Sequence, residues 1–214
     1  INQYVRMFPP TRKLGSKVEA LAGWLWGIAL ARGGHGLKGR VAGKRPRGRK
    51  PLVVVANHTS MLDIAVLFVA LRGMDFRFVA AEELFKIKIF GTAMRRSNHI
   101  PFNRRDQRSM VETYKSLNKR CFRHGQSVAV FPEGTRSADI TEFGDSIFTW
   151  AIRDGVGILP VRIWYSDDAS LADVLIGEEI STKGMGRTDG SKLSESVRQW
   201  VIDAPRPGTI YAKG

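Results

Sequence analysis

The sequence predicts an α/β domain, a largely parallel central sheet flanked by helices, preceded by a basic, interfacial helical segment. Three observations carry this expectation. From residue 51 onward, short β-branched apolar runs alternate with stretches of helical period, the order that a parallel sheet with crossover helices requires. A chain of 214 residues, 43% of them hydrophobic, can bury a real core and is too apolar to be disordered. The charge is also divided unevenly. Of 34 Lys/Arg and 20 Asp/Glu, 12 and one fall within residues 1–50, so that stretch carries +11 of the net +14. The chain therefore divides into a basic N-terminal segment, 1–50, and a nearly neutral domain, 51–214.

The N-terminal segment reads as a helix lying at a membrane surface. Its longest apolar stretch, residues 21–31, would rise about 16 Å as a helix, half of a roughly 30 Å hydrocarbon core, so it cannot span. Trp24 and Trp26 sit in its middle, and indoles favour the interface, where the N–H stays wet. Arg12, Lys13 and Lys17 precede it. Arg32, Lys38, Arg40, Lys44, Arg45, Arg47, Arg49 and Lys50 follow, with no acidic residue among them. That composition suits an anionic leaflet. The expectation is peripheral or monotopic attachment to the cytoplasmic face. The competing reading is a helix buried on its own domain with a solvated basic loop. No aromatic-interleaved or helix-turn-helix pattern accompanies the cations, so nucleic acid is not expected as a partner.

Each element follows in order. Residues 51–56, Pro-Leu-Val-Val-Val-Ala, form a wholly apolar β-branched run, the pattern of a buried strand. Leu62, Val66, Val69 and Ala70 give residues 60–71 a helical period. Residues 76–81 read as a strand, 82–95 as a helix interrupted at Gly91, and 99–103 as a short extended piece. Met110, Val111, Tyr114, Leu117, Cys121 and Phe122 make 106–123 an amphipathic helix closed by Gly125. Residues 127–131 are a strand, 146–153 a helix, and 157–164 a strand. A loop over 181–191 leads to a last helix over 192–202. The single cysteine, Cys121, excludes an internal disulfide and a Cys-rich zinc site, and its place in the helical pattern suits a small buried residue. His35, His99 and His124 lack partners at diagnostic spacing, so they read as loop or surface residues and no metal site is expected.

Two polar clusters stand just past predicted strands, where parallel sheets gather their functional residues. The first runs from Asn57 and His58 to Asp63. Five residues apart, His58 and Asp63 would not share a face of a regular helix. If the helix begins at Thr59 or Ser60, His58 lies on the entry turn and Asp63 leans back toward it. A carboxylate on one imidazole nitrogen would fix the ring and leave the other nitrogen to take a proton. The bland alternative is two side chains bonded only to local backbone. The second cluster, residues 131–137, offers Glu133, Gly134 for close backbone approach, the Thr135 hydroxyl, and the planar Arg136 fork suited to phosphate. Its bland alternative is a turn with Glu133 and Arg136 paired locally.

Together, Asn57-His58-x4-Asp63 and Phe131-Pro132-Glu133-Gly134-Thr135-Arg136-Ser137 resemble the glycerolipid acyltransferase family, which includes bacterial 1-acyl-sn-glycerol-3-phosphate acyltransferases. Residues 91–105, ending in Ile100-Pro101-Phe102-Asn103-Arg104, resemble the family's second block. Ile158-Leu159-Pro160-Val161 resembles the fourth. All four lie in order across residues 52–164, about half the chain. The resemblance implies an enzyme that moves a fatty acyl group from an acyl thioester, acyl-CoA or acyl-carrier protein, to the free hydroxyl of a lysophospholipid. For 1-acyl-glycerol-3-phosphate the product is phosphatidate. It further implies His58 as general base oriented by Asp63, with Arg104, Glu133, Gly134, Thr135 and Arg136 binding the acceptor. No cofactor is implied beyond the acyl donor. Backbone N–H groups at the helix start are expected to hold the oxyanion. Where many members show Phe-Lys-x-Gly after this motif, the chain has Phe143-Gly144-Asp145-Ser146. That leaves room for another lysolipid as acceptor, including a lyso-aminolipid. The competing readings are glycerol 3-phosphate as acceptor and, from a different class, a non-enzymatic basic membrane-binding module, against which the intact His58, Asp63, Glu133 and Arg136 argue.

Overall fold

A computed structural model describes residues 39–46, 50–103, 105–167 and 171–208. Its strands are β1 (Val41–Ala42), β2 (Leu52–Ala56), β3 (Phe76–Ala81), β4 (Ile100–Phe102), β5 (Ser127–Val130), β6 (Gly157–Tyr165) and β7 (Ala172–Ile176). Its helices are α1 (Asp63–Ala70), α2 (Glu82–Lys86), α3 (Lys88–Arg96), α4 (Gln107–Ser116), α5 (Ser146–Asp154) and α6 (Gly190–Asp203). The seven strands form one sheet in the order β1-β7-β6-β2-β5-β3-β4, parallel except where β7 runs against β6. The expected α/β class with a largely parallel sheet is what the chain forms. The predicted interfacial helix, with Trp24 and Trp26, lies outside the described residues.

The central strand shows why the sheet needs two covered faces. Every residue of β2 is buried. Val53 and Val55 join one apolar cluster, while Leu52, Val54 and Ala56 join another, as the strand period of two dictates. The first cluster is closed by Phe148 and Ala151 of α5, by Leu193, Val197 and Val201 of α6, and by Leu117 and Cys121. The second is closed by Val66, Leu67 and Ala70 of α1. Connections from the neighbouring strands β2 and β5 thus leave toward opposite faces. A crevice opens between strand ends where such connections part, and both polar clusters follow those two strands.

Four elements beyond residue 50 depart from the sequence expectation. The helix over 60–71 starts only at Asp63, because residues 57–62 are held in a loop. The helix over 82–95 is two helices, broken where Ile87 takes an extended conformation (φ −68°, ψ 119°). Gly91 allows that corner, since a Cβ there would come within 2.0 Å of the Phe85 carbonyl oxygen. The helix over 106–123 widens into a π turn at Leu117–Cys121 and tightens into a 3-10 turn at Phe122–His124 before Gly125 closes it at φ 70°. Strand β7 had no counterpart in the sequence reading. The link from β6 is too short for a crossover, so β7 returns antiparallel.

Strand β1 brings part of the basic segment into the sheet. It pairs with β7, and Arg40 just before it donates from Nε and Nη2 to Asp173 at 3.1 and 3.2 Å. Arg206 reaches the same carboxylate at 2.9 Å. Burial pushes the Asp173 carboxyl up, but hydrogen bonds from Arg40 and Arg206 outweigh it and hold the group below its ordinary range. Arg45 donates to the Ala70 carbonyl at 2.6 Å. Two of the cations assigned to a membrane surface are therefore engaged with the fold itself.

His99, read from the sequence as a loop or surface residue, is a structural acceptor. Its Nδ1 receives the Phe78 N–H at 3.0 Å, joining the start of β4 to β3. Burial, aided by the positive charge of Arg77, lowers its pKa from 6.5 to about 3. Between those values the unfolded chain binds a proton that the folded chain does not. Stability is therefore expected to decline as pH falls from about 6.5 toward about 3. His99→Gln keeps an acceptor but cannot protonate, so urea titrations across that window should show a shallower decline. Parallel declines would mean that His99 is not the source.

Candidate active site

The site is assembled around a buried carboxylate. Asp63 has no exposed surface, and an ionised group so placed needs donors on both oxygens. Its Oδ2 accepts the Thr59 N–H at 2.7 Å, the Ser60 N–H at 2.8 Å and His58 Nδ1 at 2.8 Å. Its Oδ1 accepts the Tyr165 hydroxyl at 2.6 Å. The expected meeting of His58 and Asp63 therefore occurs, by a different route from an early helix start. The chain between them stays out of helix, with the Ser60 carbonyl accepting Asp63 N–H and the Ser60 hydroxyl accepting Leu62 N–H. The amides of Thr59, Ser60, Leu62 and Asp63 are engaged within this loop, so any amides offered to an oxyanion would come from the first turn of α1 beyond Asp63.

A carboxylate only accepts, so the proton on Nδ1 belongs to His58 and the lone pair lies on Nε2. The His58 side chain is 15% exposed, and Nε2 has no bond among the described residues. The ring lies flat on Phe131, with centroids 4.1 Å apart and planes at 11°. Phe131 in turn stacks on Phe78 at 5.9 Å. One ring face is thereby closed, and rotation about the Nδ1 bond is resisted.

The backbone of His58 is gripped by the second cluster, 75 residues away in sequence. Its N–H donates to Glu133 Oε1 at 2.8 Å, and its carbonyl accepts the Ser137 N–H at 2.9 Å. Glu133 Oε2 accepts the amide and hydroxyl of Thr141 at 3.1 and 3.2 Å. Gly134, at φ 68°, takes the left-handed conformation that completes the turn from Phe131, its N–H meeting the Phe131 carbonyl at 3.0 Å. Asn57 fixes the other side. Its amide donates to the Ile163 carbonyl at 3.0 Å and accepts the Ile163 N–H at 2.8 Å, imitating one more ladder step between β2 and β6.

The residues singled out from the sequence divide by exposure. Gly134, Thr135 and Arg136 are exposed, within the loop whose Glu133 and Ser137 bind the His58 backbone. Glu133 is buried, and its oxygens serve His58 and Thr141 rather than a local pair with Arg136. Arg104 lies outside the described residues. Two side chains went unnoticed in the sequence. Tyr165 ends a strand, where only the register of β6 brings it to Asp63. Arg162 has buried Nε and Nη1 atoms with no hydrogen-bond partner among the described residues, and its guanidinium lies 5.3 Å from the Trp164 ring centroid. Burial lowers its pKa, and the charge of Glu133 works against that. Among the described residues no group of three or more His, Cys, Asp or Glu is placed to hold a metal.

Comparison with known proteins bears on the same residues. Residues 38–164 match the family model described as Acyltransferase. A chloroplast 1-acyl-sn-glycerol-3-phosphate acyltransferase from Arabidopsis thaliana is 38% identical over 120 residues, 55% of this chain and 33% of its own length. A probable 1-acyl-sn-glycerol-3-phosphate acyltransferase from Mycoplasma genitalium is 30% identical over 179 residues, 73% of this chain and 66% of its own. The chain thus spans about a third of the length of its chloroplast relatives. Among solved structures, the 1-acyl-sn-glycerophosphate acyltransferase of Thermotoga maritima shares the fold with a TM-score of 0.67. It is 24% identical, and the match covers 92% of this chain and 86% of that one.

The grip on His58 predicts a measurable cost for Glu133→Gln. The amide would set a donor against either the His58 or the Thr141 N–H, and it would remove the negative charge facing Arg162. A loss of about 1–3 kcal/mol in unfolding free energy is expected. Hydrogen exchange at the His58 and Thr141 amides should also quicken. Unchanged exchange at both would show that the loop holds without this carboxylate.

Proposed function

The chain belongs to the Acyltransferase family, and on that premise we propose that it transfers a fatty acyl group from an acyl thioester to a lysophospholipid hydroxyl. The acceptor is 1-acyl-glycerol-3-phosphate and the product phosphatidate, an assignment supported by the names of its relatives. The observation that carries the reading is His58. Its ring is held through Nδ1 by a buried carboxylate, its Nε2 is unengaged among the described residues, and exposed Thr135 and Arg136 lie in the loop whose Glu133 and Ser137 bind the His58 backbone.

In the proposed reaction, His58 Nε2 takes the proton from the acceptor hydroxyl as its oxygen attacks the thioester carbonyl. The tetrahedral intermediate collapses with loss of the thiolate. The imidazolium then returns its proton to that sulfur, giving ester, free thiol and neutral His58. Asp63 stays ionised throughout and steadies the transient imidazolium. Arg136 and Arg104 supply the charge for the acceptor's phosphate, while Glu133 acts from behind by fixing His58. Acyl-CoA and acyl-carrier protein are both fitting donors. No helix among the described residues is long and apolar enough to cross a membrane. Attachment to an anionic surface through residues 1–50 would bring the site to a lysolipid.

The test is a panel of acceptors (1-acyl-glycerol-3-phosphate, a lyso-aminolipid, glycerol 3-phosphate), each offered with acyl-CoA and with acyl-carrier protein and scored by product mass. Phosphatidate is the expected product. Product from another acceptor alone would overturn the headgroup assignment. His58→Ala should cost on the order of 10²–10⁴-fold in turnover with the fold retained by circular dichroism; undiminished turnover would sink the mechanism. Arg136→Ala should raise KM for the acceptor by about tenfold or more, with the acyl-donor KM nearly unchanged. An equal rise in both would count against a phosphate role.

A further inference from the structure

Of the four donors on Asp63, three come from the His58 loop and one from a distant strand. That fourth donor, the Tyr165 hydroxyl, makes the shortest of the bonds at 2.6 Å and is the partner of Oδ1. Its arrival there depends on register. The last ladder pair between β2 and β6 is Ala56 with Val161. The Asn57 side chain then extends the pairing to Ile163. Val161, Ile163 and Tyr165 share the face that α1 covers, and the Tyr165 ring packs into that cluster. Pairing with Ala172 of β7 anchors the Tyr165 backbone from the other side.

Burial, then the negative charge of Asp63, raises the pKa of Tyr165, with the Ser60 hydroxyl acting weakly the other way. The phenol therefore remains a neutral donor. Removing it would leave Oδ1 buried without a partner and free the carboxylate to turn. Its charge would also concentrate on the remaining donors, among them the His58 ring.

The geometry points to Tyr165 as a positioning residue for acyl transfer: its hydroxyl fixes the Asp63 carboxylate that orients His58 and limits how strongly that carboxylate favours the protonated ring. This rests on the reading of His58 as the base. The charged and titratable groups around the pair, among the described residues, come from every neighbouring element. Glu133, in the loop after β5, meets the His58 N–H. Arg162 on β6 faces Glu133. His99 lies beyond Phe131 and Phe78 in the aromatic column. The helix α1 offers only Asp63. None of them hydrogen-bonds Oδ1, so a change at Tyr165 acts on the carboxylate directly.

The experiment compares the kcat/KM pH profile of the full chain, with acyl-CoA and 1-acyl-glycerol-3-phosphate, for the native protein, Tyr165→Phe, and 3-fluorotyrosine installed at position 165. Tyr165→Phe is expected to move the acidic limb to higher pH by about half a unit or more. It should also lower kcat about 3- to 30-fold with both KM values little changed. Fluorotyrosine has the same shape and a more acidic phenol, so it should move the limb to lower pH and keep kcat near native. A nitrogen-15 titration of the His58 ring, assigned by its loss in His58→Ala, should move in the same directions without relying on turnover. Should Tyr165→Phe not fold, the fluorotyrosine protein decides. Limbs and ring titrations that stay put, with only thermal stability reduced, would overturn the inference while His58→Ala remains inactive. Turnover retained in His58→Ala would overturn the base itself.

Discussion

A single carboxylate, sealed from water, organises the active edge of this sheet. An ionised group without solvent is tolerated only when its oxygens are met by donors, and each donor on Asp63 constrains a different part of the chain. The Thr59 and Ser60 amides can point back at it only if residues 57–62 stay out of helix, which is why α1 begins at Asp63 itself. The Tyr165 hydroxyl reaches it only if β6 runs on past the end of β2. What remains of the carboxylate's capacity is directed at the His58 ring. Burial of the charge and orientation of the imidazole are one arrangement.

The same economy holds for the His58 backbone. Its N–H and carbonyl are both taken by the loop that follows β5, through Glu133 and Ser137. Two segments 75 residues apart are thus joined as if they were adjacent strands, at the point where the sheet itself has ended. Glu133 is the hinge of this joint. It accepts from both sides and sets its charge against the Arg162 guanidinium, whose buried Nε and Nη1 have no hydrogen-bond partner among the described residues. The glycine that follows turns the chain outward and leaves Thr135 and Arg136 exposed to solvent. A buried carboxylate faces inward and exposed side chains outward, within four consecutive residues.

The cations of residues 1–50 are not all of one kind. Arg40 and Arg45 are anchors, engaged with Asp173 and the Ala70 carbonyl, and they tie the segment to β7 and to the end of α1. A basic run read only as a charge total conceals this division. The tether also has a geometric consequence: from residue 39 the chain joins the domain at the edge strand β1, beside β7.

The alternation of apolar runs and helical periods made the α/β class legible, and the spacing of Asn57, His58 and Asp63 against Glu133 to Arg136 made the candidate site legible. These are local signals, written in residue type and period. Strand β7 was not, because its direction follows from a short link and a pairing partner rather than from its own pattern. Nor was the break at Ile87, which depends on the close backbone approach at Gly91. His99 looked idle because its partner is an amide 21 residues away on another strand. Tyr165 was invisible for the same reason. The sequence alone determined which side chains stand just past the strand ends. The tertiary structure decided which of them touch, because a buried charge recruits its donors from wherever strand register happens to bring one.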